Sequence, residues 1–207
     1  MGLFYQQDIN ENTRLAVWHI EEPAEFFLDY VPVQREISHP QKRLQHLAGR
    51  YLLRYLFPHF PYEDILIADT RKPYVPGDPF HFSISHRGEY AAAIVSRDSR
   101  VGIDIEGFTP KVERILHKFL SPREQSFLDV RHPLRQGIVC WAAKEAVYKW
   151  YGVGEMDWIR DMPLEPFVLG ASGSLICLFN KDEFHQALPL SYMTWEEMAL
   201  VHLVTPP

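Results

Sequence analysis

Two carboxylates alternate with apolar side chains in the segment VGIDIE, residues 101–106. Because successive side chains of a strand point to opposite faces, Asp104 and Glu106 lie on one face, about 6.5 Å apart at Cα. Gly102 precedes them on that face and leaves room for a bulky group. Carboxylate oxygens are ligands that Mg²⁺ prefers, with water and substrate phosphates completing its shell. The pair therefore suggests a hard-cation site, and a half-exposed strand with two solvated acids is the alternative.

A third acid lies in the segment WAAKEAVYKW, residues 141–150, which has the apolar spacing of a helix. Glu145 and Lys149 are four residues apart and share a stripe with Trp141. As an exposed pair they would stabilise a helix by only about 0.2–0.5 kcal/mol. A partly desolvated carboxylate instead needs a cationic partner. We predict that Glu145 joins the two strand acids, with Lys149 and Lys144 directed at phosphate oxygens.

Polar side chains also alternate in FHFSISHRG, residues 80–88. Ser85 and His86 lie where this strand enters a turn, and hydroxyl, imidazole and backbone N–H groups together can bind a phosphate. A structural or simply exposed histidine is the alternative. Upstream, Lys72 and Pro73 place a cation on a loop that proline constrains. That loop is equally compatible with a solvated turn.

The elements that position these residues follow from hydrophobic periodicity and turn signals. They predict strands at 14–20, 80–85, 90–96, 101–106, 167–169, 174–179 and 198–204, and helices at 21–30, 40–57 and 134–151. Ser121 and Glu124 have the spacing of a capping box at the start of a further helix. Each half runs from a strand through helices to more strands. This order favours an α+β fold with two similar subdomains, residues 1–100 and 101–207.

The composition describes a core-forming protein, with 46% hydrophobic residues and a net charge of −6. The negative charge disfavours extended nucleic-acid binding. Cys140 and Cys177 fit neither a disulfide framework nor a zinc site, which favours a reducing compartment. No apolar run has the length of a membrane-spanning helix, and no signal peptide is evident. We expect a cytoplasmic protein without nucleic-acid or membrane partners.

Three blocks in order resemble the 4′-phosphopantetheinyl transferases, specifically the larger, monomeric type that activates nonribosomal peptide synthetases. RKPYVPGDPFHFSISHRGEYAA is similar to G-K-P followed by F-[NS]-[IL]-S-H-[ST]-G, and VGIDIE is a full match. FLSPREQSFL followed by WAAKEAVYKWYGVG is similar to W-x-x-K-E-A-x-x-K with glycines after it. The blocks cover about residues 71–154. Arg71 stands where the family usually has Gly, and Arg87 where a Ser or Thr is common.

The resemblance implies two α+β subdomains related by pseudo-two-fold symmetry, the first binding coenzyme A and the second carrying a metal site and a catalytic helix. It also implies an enzyme of the holo-[acyl-carrier-protein] synthase type. Such an enzyme uses Mg²⁺ and moves the 4′-phosphopantetheine arm of coenzyme A, its co-substrate, to a serine of an acyl or peptidyl carrier protein. Adenosine 3′,5′-bisphosphate is released.

Carried over residue by residue, the resemblance assigns Mg²⁺ to Asp104, Glu106 and Glu145, with Glu145 also the general base. Lys149 would neutralise charge at the phosphoryl group, and Lys144 would assist phosphate binding. The residues implied for coenzyme A are the Lys72–Pro73 backbone at the adenine, Ser85 and His86 at phosphates, and Arg43, His46 and Arg50 as candidates for the 3′-phosphate. For the last three, a solvated helix face is the alternative.

Segment 111–123 carries four cations, Lys111, Arg114, Lys118 and Arg123, against Glu113 alone. This local excess could dock an acidic carrier protein despite the negative net charge. Two other functions compete with the transferase. One is a metal-dependent nuclease, although Glu145 and Lys149 lie on a helix rather than on a strand. The other is a non-catalytic module that binds coenzyme A or a carrier protein.

Overall fold

The computed structural model describes residues 2–31, 37–196 and 198–206. The chain divides into two compact units. The first contains the residues up to Val101 together with Pro206, and the second is Gly102–Thr205. Each unit contains a four-stranded sheet and one long helix packed against it. The expected α+β class is therefore confirmed. No helix in the described ranges is long and apolar enough to cross a membrane.

In its described residues, the first unit contains a four-stranded sheet, a two-stranded sheet and two α-helices. Its elements are β1 (Leu3–Asp8), β2 (Thr13–His19), α1 (Ala24–Leu28), α2 (Pro40–Leu56), β3 (Leu66–Ile67), β4 (Pro73–Tyr74), β5 (His81–Arg87) and β6 (Tyr90–Ser96). Four strands form one sheet in the order β1–β2–β6–β5, and β3 pairs with β4 separately. The predicted hairpin is formed by β5 and β6, and its turn contains Gly88 at φ 56°.

Helix α2 covers the main sheet of the first unit with an apolar face. Pro40 occupies its first turn, where a missing N–H costs nothing, and the His39 side chain accepts a bond from the Lys42 N–H. Gly49 lets the helix approach the sheet, since a Cβ there would lie 2.6 Å from Ile84 Cγ2. Leucines of this face, such as Leu52, are fully buried, each worth roughly 1.5–3 kcal/mol.

The second unit begins within a strand whose first two residues, Arg100 and Val101, belong to the first unit. Its elements are β7 (Arg100–Gly107), α3 (Pro110–Glu113), α4 (Leu116–Phe119), α5 (Pro122–Ser126), α6 (Pro133–Tyr151), β8 (Ser172–Lys181), β9 (Phe184–Trp195) and β10 (Met198–Thr205). The strands form a sheet in the order β7–β10–β9–β8. Helix α6 packs on β10 and ends at Gly152, whose φ of 72° is the left-handed conformation that glycine adopts without strain.

The observed elements differ from the predicted ones in a few places. Residues 167–169 form no strand, because Phe167 is held in a loop by a bond from Gln136 Nε2 to its carbonyl oxygen. Strands β1 and β9 were not predicted. The exposed positions of β9 mix polar residues with the apolar Phe184 and Ala187, and the strand contains Pro189, so its sequence lacks a strong strand signal. Cys140 and Cys177 are buried free thiols.

Candidate active site

Because Gly102 has no side chain, α6 lies directly on the face of β7 that carries Asp104 and Glu106. A Cβ at Gly102 would overlap the carbonyl oxygen of Ala146 and would lie 2.9 Å from Trp150 Cβ. The room that the sequence predicted beside the acids is thus taken by the helix backbone. Because Asp104 lies two residues further along the same face, it meets the side chains of α6.

The first contact of the site joins a lysine of α6 to an acid of β7. Lys149 Nζ lies 2.6 Å from Asp104 Oδ1, which is a short, charge-assisted hydrogen bond. Asp104 is only 3% exposed, whereas the Lys149 side chain is about one quarter exposed. A buried carboxylate therefore carries a cationic partner that still reaches solvent.

The environment of Glu145 changes its protonation equilibrium. Burial, followed by repulsion from Asp104, raises the pKa of Glu145 to about 7. Lys149 acts in the opposite direction, and Glu106 adds a smaller repulsion. All three predicted acids and Lys149 therefore share one electrostatic environment. A carboxylate with a pKa near neutrality is suited to accept a proton.

Glu106 has a partner that the sequence analysis did not identify. The Trp141 indole Nε1 donates a hydrogen bond of 3.2 Å to Glu106 Oε1. The Trp141 ring packs edge-on against Phe119 and stacks on Trp158. The helical period placed Trp141 on the stripe of Glu145, one turn before it, but did not indicate its hydrogen bond to Glu106.

The carboxylates of Asp104, Glu106 and Glu145 interact electrostatically, but their arrangement is not that of a metal-binding cluster. Within the described ranges, no three His, Cys, Asp or Glu side chains are grouped closely enough to hold a metal ion. One carboxylate oxygen of Asp104, Oδ1, instead accepts a hydrogen bond from Lys149. An all-oxygen donor set of this charge nevertheless fits a hard dication such as Mg²⁺, which takes one or two carboxylates and keeps several waters.

The prediction for Lys144 is wrong. Its side chain is fully buried, and its Nζ contacts the carbonyl oxygens of Phe119 and Trp158 at 2.6 and 2.7 Å and Glu124 Oε1 at 2.7 Å. Three acceptors use the three ammonium hydrogens, so Lys144 has none left for a phosphate. Burial lowers the pKa of Lys144, and Glu124 opposes this shift.

Glu124 combines the predicted capping box with a second role. As predicted, Ser121 N donates to Glu124 Oε2 at 2.8 Å, and Ser121 Oγ accepts from Glu124 N. The other oxygen, Oε1, binds Lys144 and accepts from the Leu164 N–H at 3.0 Å. The sequence signals only the cap, because the other two partners lie far along the chain.

The predicted coenzyme A loop lies in the first unit, at β4. Burial and the nearby Arg100 lower the pKa of Lys72 to about 8, with Asp78 opposing the shift. Arg71 has φ 67°, so it adopts the left-handed conformation that the glycine of the resembled motif would favour. The loop therefore keeps a glycine-like backbone with Arg71 in place.

The other predicted coenzyme A residues lie on β5 and α2 of the first unit. Ser85 is buried and His86 is exposed beside the hairpin turn. On α2, Arg43 and His46 are half-buried. Arg50 is only 6% exposed, with its guanidinium 5.9 Å from the centre of the Tyr62 ring. The alternative of a solvated helix face is therefore wrong for Arg50.

Comparison with known proteins supports the same family as the motifs. Residues 100–193 match the model of the 4′-phosphopantetheinyl transferase superfamily. A 4′-phosphopantetheinyl transferase of Bacillus subtilis is 39% identical over 106 residues, which are 49% of this chain and 44% of the relative. The 4′-phosphopantetheinyl transferase AcpT of Escherichia coli K12 is 32% identical over 117 residues, 54% of this chain and 59% of AcpT.

A human protein is a further relative. The L-aminoadipate-semialdehyde dehydrogenase-phosphopantetheinyl transferase of Homo sapiens is 31% identical over 130 residues, 52% of this chain and 42% of the relative. The chain spans about half the length of the curated relatives that it matches. Residues 100–193 thus match the 4′-phosphopantetheinyl transferase superfamily, and these relatives support that match.

Proposed function

We propose that this protein transfers the 4′-phosphopantetheine arm of coenzyme A to a serine of an acyl or peptidyl carrier protein. The observation that carries the proposal is the grouping of Glu145 and Lys149 of α6 with Asp104 of β7. Phosphoryl transfer depends mainly on positioning and charge neutralisation, and this group offers acids and a cation at one place. The superfamily match of residues 100–193 supports the same chemistry.

Asp104, Glu106 and Glu145 would hold Mg²⁺. When bound, the ion would neutralise the pyrophosphate of coenzyme A. Lys149 retains partial exposure, so its ammonium can serve a phosphoryl oxygen as well as Asp104. The electrostatic stabilisation that the Lys149 ammonium gives to the phosphoryl group is largest where the surrounding protein excludes water.

Glu145 is the proposed general base. It accepts the proton of the carrier serine hydroxyl while the serine oxygen bonds to the phosphorus that bears the pantetheine arm. The bond from that phosphorus to the leaving oxygen breaks, and adenosine 3′,5′-bisphosphate leaves with the electron pair. A pKa of about 7 keeps much of the Glu145 population ionised near neutral pH.

The proposed coenzyme A ligands are residues of the first unit. The Lys72–Pro73 backbone would contact the adenine, Ser85 and His86 the phosphates, and Arg43, His46 and Arg50 the 3′-phosphate. The left-handed backbone at Arg71 supports the loop shape that the motif requires. Arg50 is only 6% exposed, whereas Arg43 and His46 are half-buried, which makes Arg43 and His46 the stronger candidates.

The carrier protein is proposed to dock on α3 and α4. Lys111, Arg114 and Lys118 are exposed there, whereas Arg123 is engaged by Glu165 at 3.0 Å. Carrier proteins are typically acidic around the modified serine, so the three exposed cations favour encounter. Charge reversal at Arg114 and Lys118 should weaken carrier binding in a salt-dependent way, and unchanged affinity would refute this docking surface.

The proposed subtype is the larger transferase that activates nonribosomal peptide synthetases, working as a cytoplasmic monomer. The motif resemblance supports this subtype, and the relatives' names include more than one type. A non-catalytic module that binds coenzyme A or a carrier protein is the second candidate. Sedimentation of the purified chain would test the monomer.

The deciding experiment incubates the protein with coenzyme A, Mg²⁺ and a panel of apo-carrier proteins, followed by mass spectrometry of each carrier. We expect the mass of a carrier to increase by one phosphopantetheine group. Asp104→Ala should abolish this gain, whereas the exposed control Glu183→Ala should keep it. Binding of coenzyme A without a mass gain on any carrier would instead favour the non-catalytic module.

A further inference from the structure

Trp158 packs on two aromatic side chains of α6, although no motif includes it. Its ring stacks on Trp141, with centroids 5.1 Å apart and planes at 22°. It also stacks on Tyr148, with centroids 5.6 Å apart and planes at 25°. Trp141 and Tyr148 are two turns apart on one side of α6, so Trp158 spans the turn that carries Glu145.

The backbone of Trp158 is also bonded to α6. Its carbonyl oxygen accepts a 2.7 Å bond from Lys144 Nζ, and the same ammonium group binds Glu124. Because Lys144 is fully buried, this bond has little competition from water. The loop after α6 is thereby attached to the helix at a defined point.

Trp141 connects this arrangement to the acids. Its indole N–H donates to Glu106 Oε1, and the direction of that bond depends on the plane of the Trp141 ring. Trp158 covers one face of the ring, while Phe119 packs against it edge-on at 4.8 Å. Stacked aromatic pairs contribute about 0.5–1.5 kcal/mol beyond their buried area, enough to restrict a rotamer.

We propose that Trp158 is a positioning residue for the cation-binding carboxylates. It fixes the Trp141 ring, and Trp141 in turn orients Glu106 toward a bound dication. The inference rests on the proposed function, because it assumes that Glu106 binds the ion. Groups that orient a metal ligand commonly change affinity or activity by about 10–100-fold when they are removed.

The test measures Mn²⁺ binding by calorimetry, with near-ultraviolet circular dichroism as an independent readout. Trp158→Ala should weaken Mn²⁺ binding by about 10-fold and remove the signal of the stacked tryptophan pair. Trp158→Phe keeps an aromatic ring and should restore most of the affinity. Ile159→Ala, in the same loop, is the matched control and should leave Mn²⁺ binding unchanged.

A double-mutant cycle separates positioning from general stability. Trp141→Phe removes the indole N–H and should itself weaken Mn²⁺ binding. If Trp158 acts through Trp141, then Trp158→Ala should have little further effect in the Trp141→Phe background. Additive losses, or wild-type Mn²⁺ affinity in Trp158→Ala, would overturn the inference.

The proposed function can be judged separately in the same series. Transfer by the wild type together with normal Mn²⁺ binding by Trp158→Ala would refute the role of Trp158 and leave the transferase intact. A wild type that neither binds Mn²⁺ nor modifies any carrier would refute both. Thermal unfolding of each variant shows whether a lost affinity merely follows lost folding.

Discussion

The ammonium group of Lys144 lies 2.7 Å from the carboxylate of Glu124, and both side chains are almost completely removed from solvent. Neighbouring carbonyl and N–H groups satisfy the remaining hydrogen-bonding capacity of the pair. The pair joins α5, α6 and the loop at Trp158. Lys144 therefore supports the site from inside the second unit, beside the acid that does the proposed chemistry.

Breaking this buried pair should destabilise the protein strongly. We expect Lys144→Ala to lower the free energy of unfolding by about 3–5 kcal/mol, because Glu124 is left as an uncompensated buried charge. Urea unfolding measures the loss. Lys144→Met combined with Glu124→Gln removes both charges and keeps a capping acceptor, so it should recover part of the stability.

Lys118→Ala, at an exposed position of α4, is the control for Lys144 and should change the free energy of unfolding by less than about 0.5 kcal/mol. A similarly small change for Lys144→Ala would contradict the buried-pair interpretation.

Gly102 should tolerate no side chain. Gly102→Ala places a Cβ against the Ala146 carbonyl oxygen, which belongs to the α6 backbone and cannot move alone. We expect a loss of about 1–3 kcal/mol in the free energy of unfolding and a larger relative loss of transfer, since α6 carries Glu145. Thermal unfolding and the carrier assay measure the two effects.

Gly137→Ala is the matched control for Gly102→Ala. Its Cβ would meet only Leu116 Cδ2 at 2.7 Å, the end of a flexible side chain. Alanine also favours the helix interior by about 1 kcal/mol over glycine. Equal effects of the two substitutions would contradict a special requirement at position 102.

The protonation of Glu145 should make stability depend on pH in the metal-free protein. Because the folded-state pKa of about 7 lies above the ordinary value of 4.5, the folded protein binds this proton more tightly than the unfolded chain. The free energy of unfolding should therefore fall as pH rises from about 4.5 to about 7, by roughly 3 kcal/mol. Denaturation of the wild type and Glu145→Gln with a chelator isolates this contribution, which the variant should lack.

Added Mg²⁺ provides the complementary measurement. If the three acids hold the ion, Mg²⁺ should stabilise the wild type most above pH 7, where Glu145 is ionised. A stabilisation by Mg²⁺ that is equal in Glu145→Gln would show that the ion binds elsewhere.

Removal of the Lys149 charge should reduce the rate of transfer more than the stability. Lys149→Met eliminates the cation proposed to act at the phosphoryl oxygens, for which we expect a fall in kcat of about 10²–10³-fold. Lys149 also opposes the upward shift of the Glu145 pKa. The pH–rate profile of the variant should accordingly move to higher pH, whereas an unchanged profile would exclude Glu145 as the titrating base.

Arg71 should be replaceable by residues that accept its backbone conformation. At φ 67°, Arg71→Gly relieves about 1–2 kcal/mol of left-handed strain, partly offset by the greater freedom of glycine in the unfolded chain. We expect the melting temperature of Arg71→Gly to equal or exceed that of the wild type. Arg71→Val should lower it, because a β-branched residue tolerates this region poorly, and Arg71→Ala controls for loss of the charge.

The sequence alone determined the features that depend on near neighbours in the chain. The alternation in β7, the capping box at Ser121 and the hairpin β5–β6 arise from short-range backbone geometry. The end of α6 at Gly152 is equally local. These features were therefore predicted within a few residues, together with the acids on one strand face.

Only the tertiary structure decided which lysine of α6 faces the acids. Lys144 and Lys149 are both cations on an apolar helix, and their different roles depend on Phe119, Glu124 and Asp104, which lie far from them in sequence. The bond between Trp141 and Glu106 has the same origin. A side chain's environment is set by whichever distant elements pack around it, and periodicity carries no information about those elements.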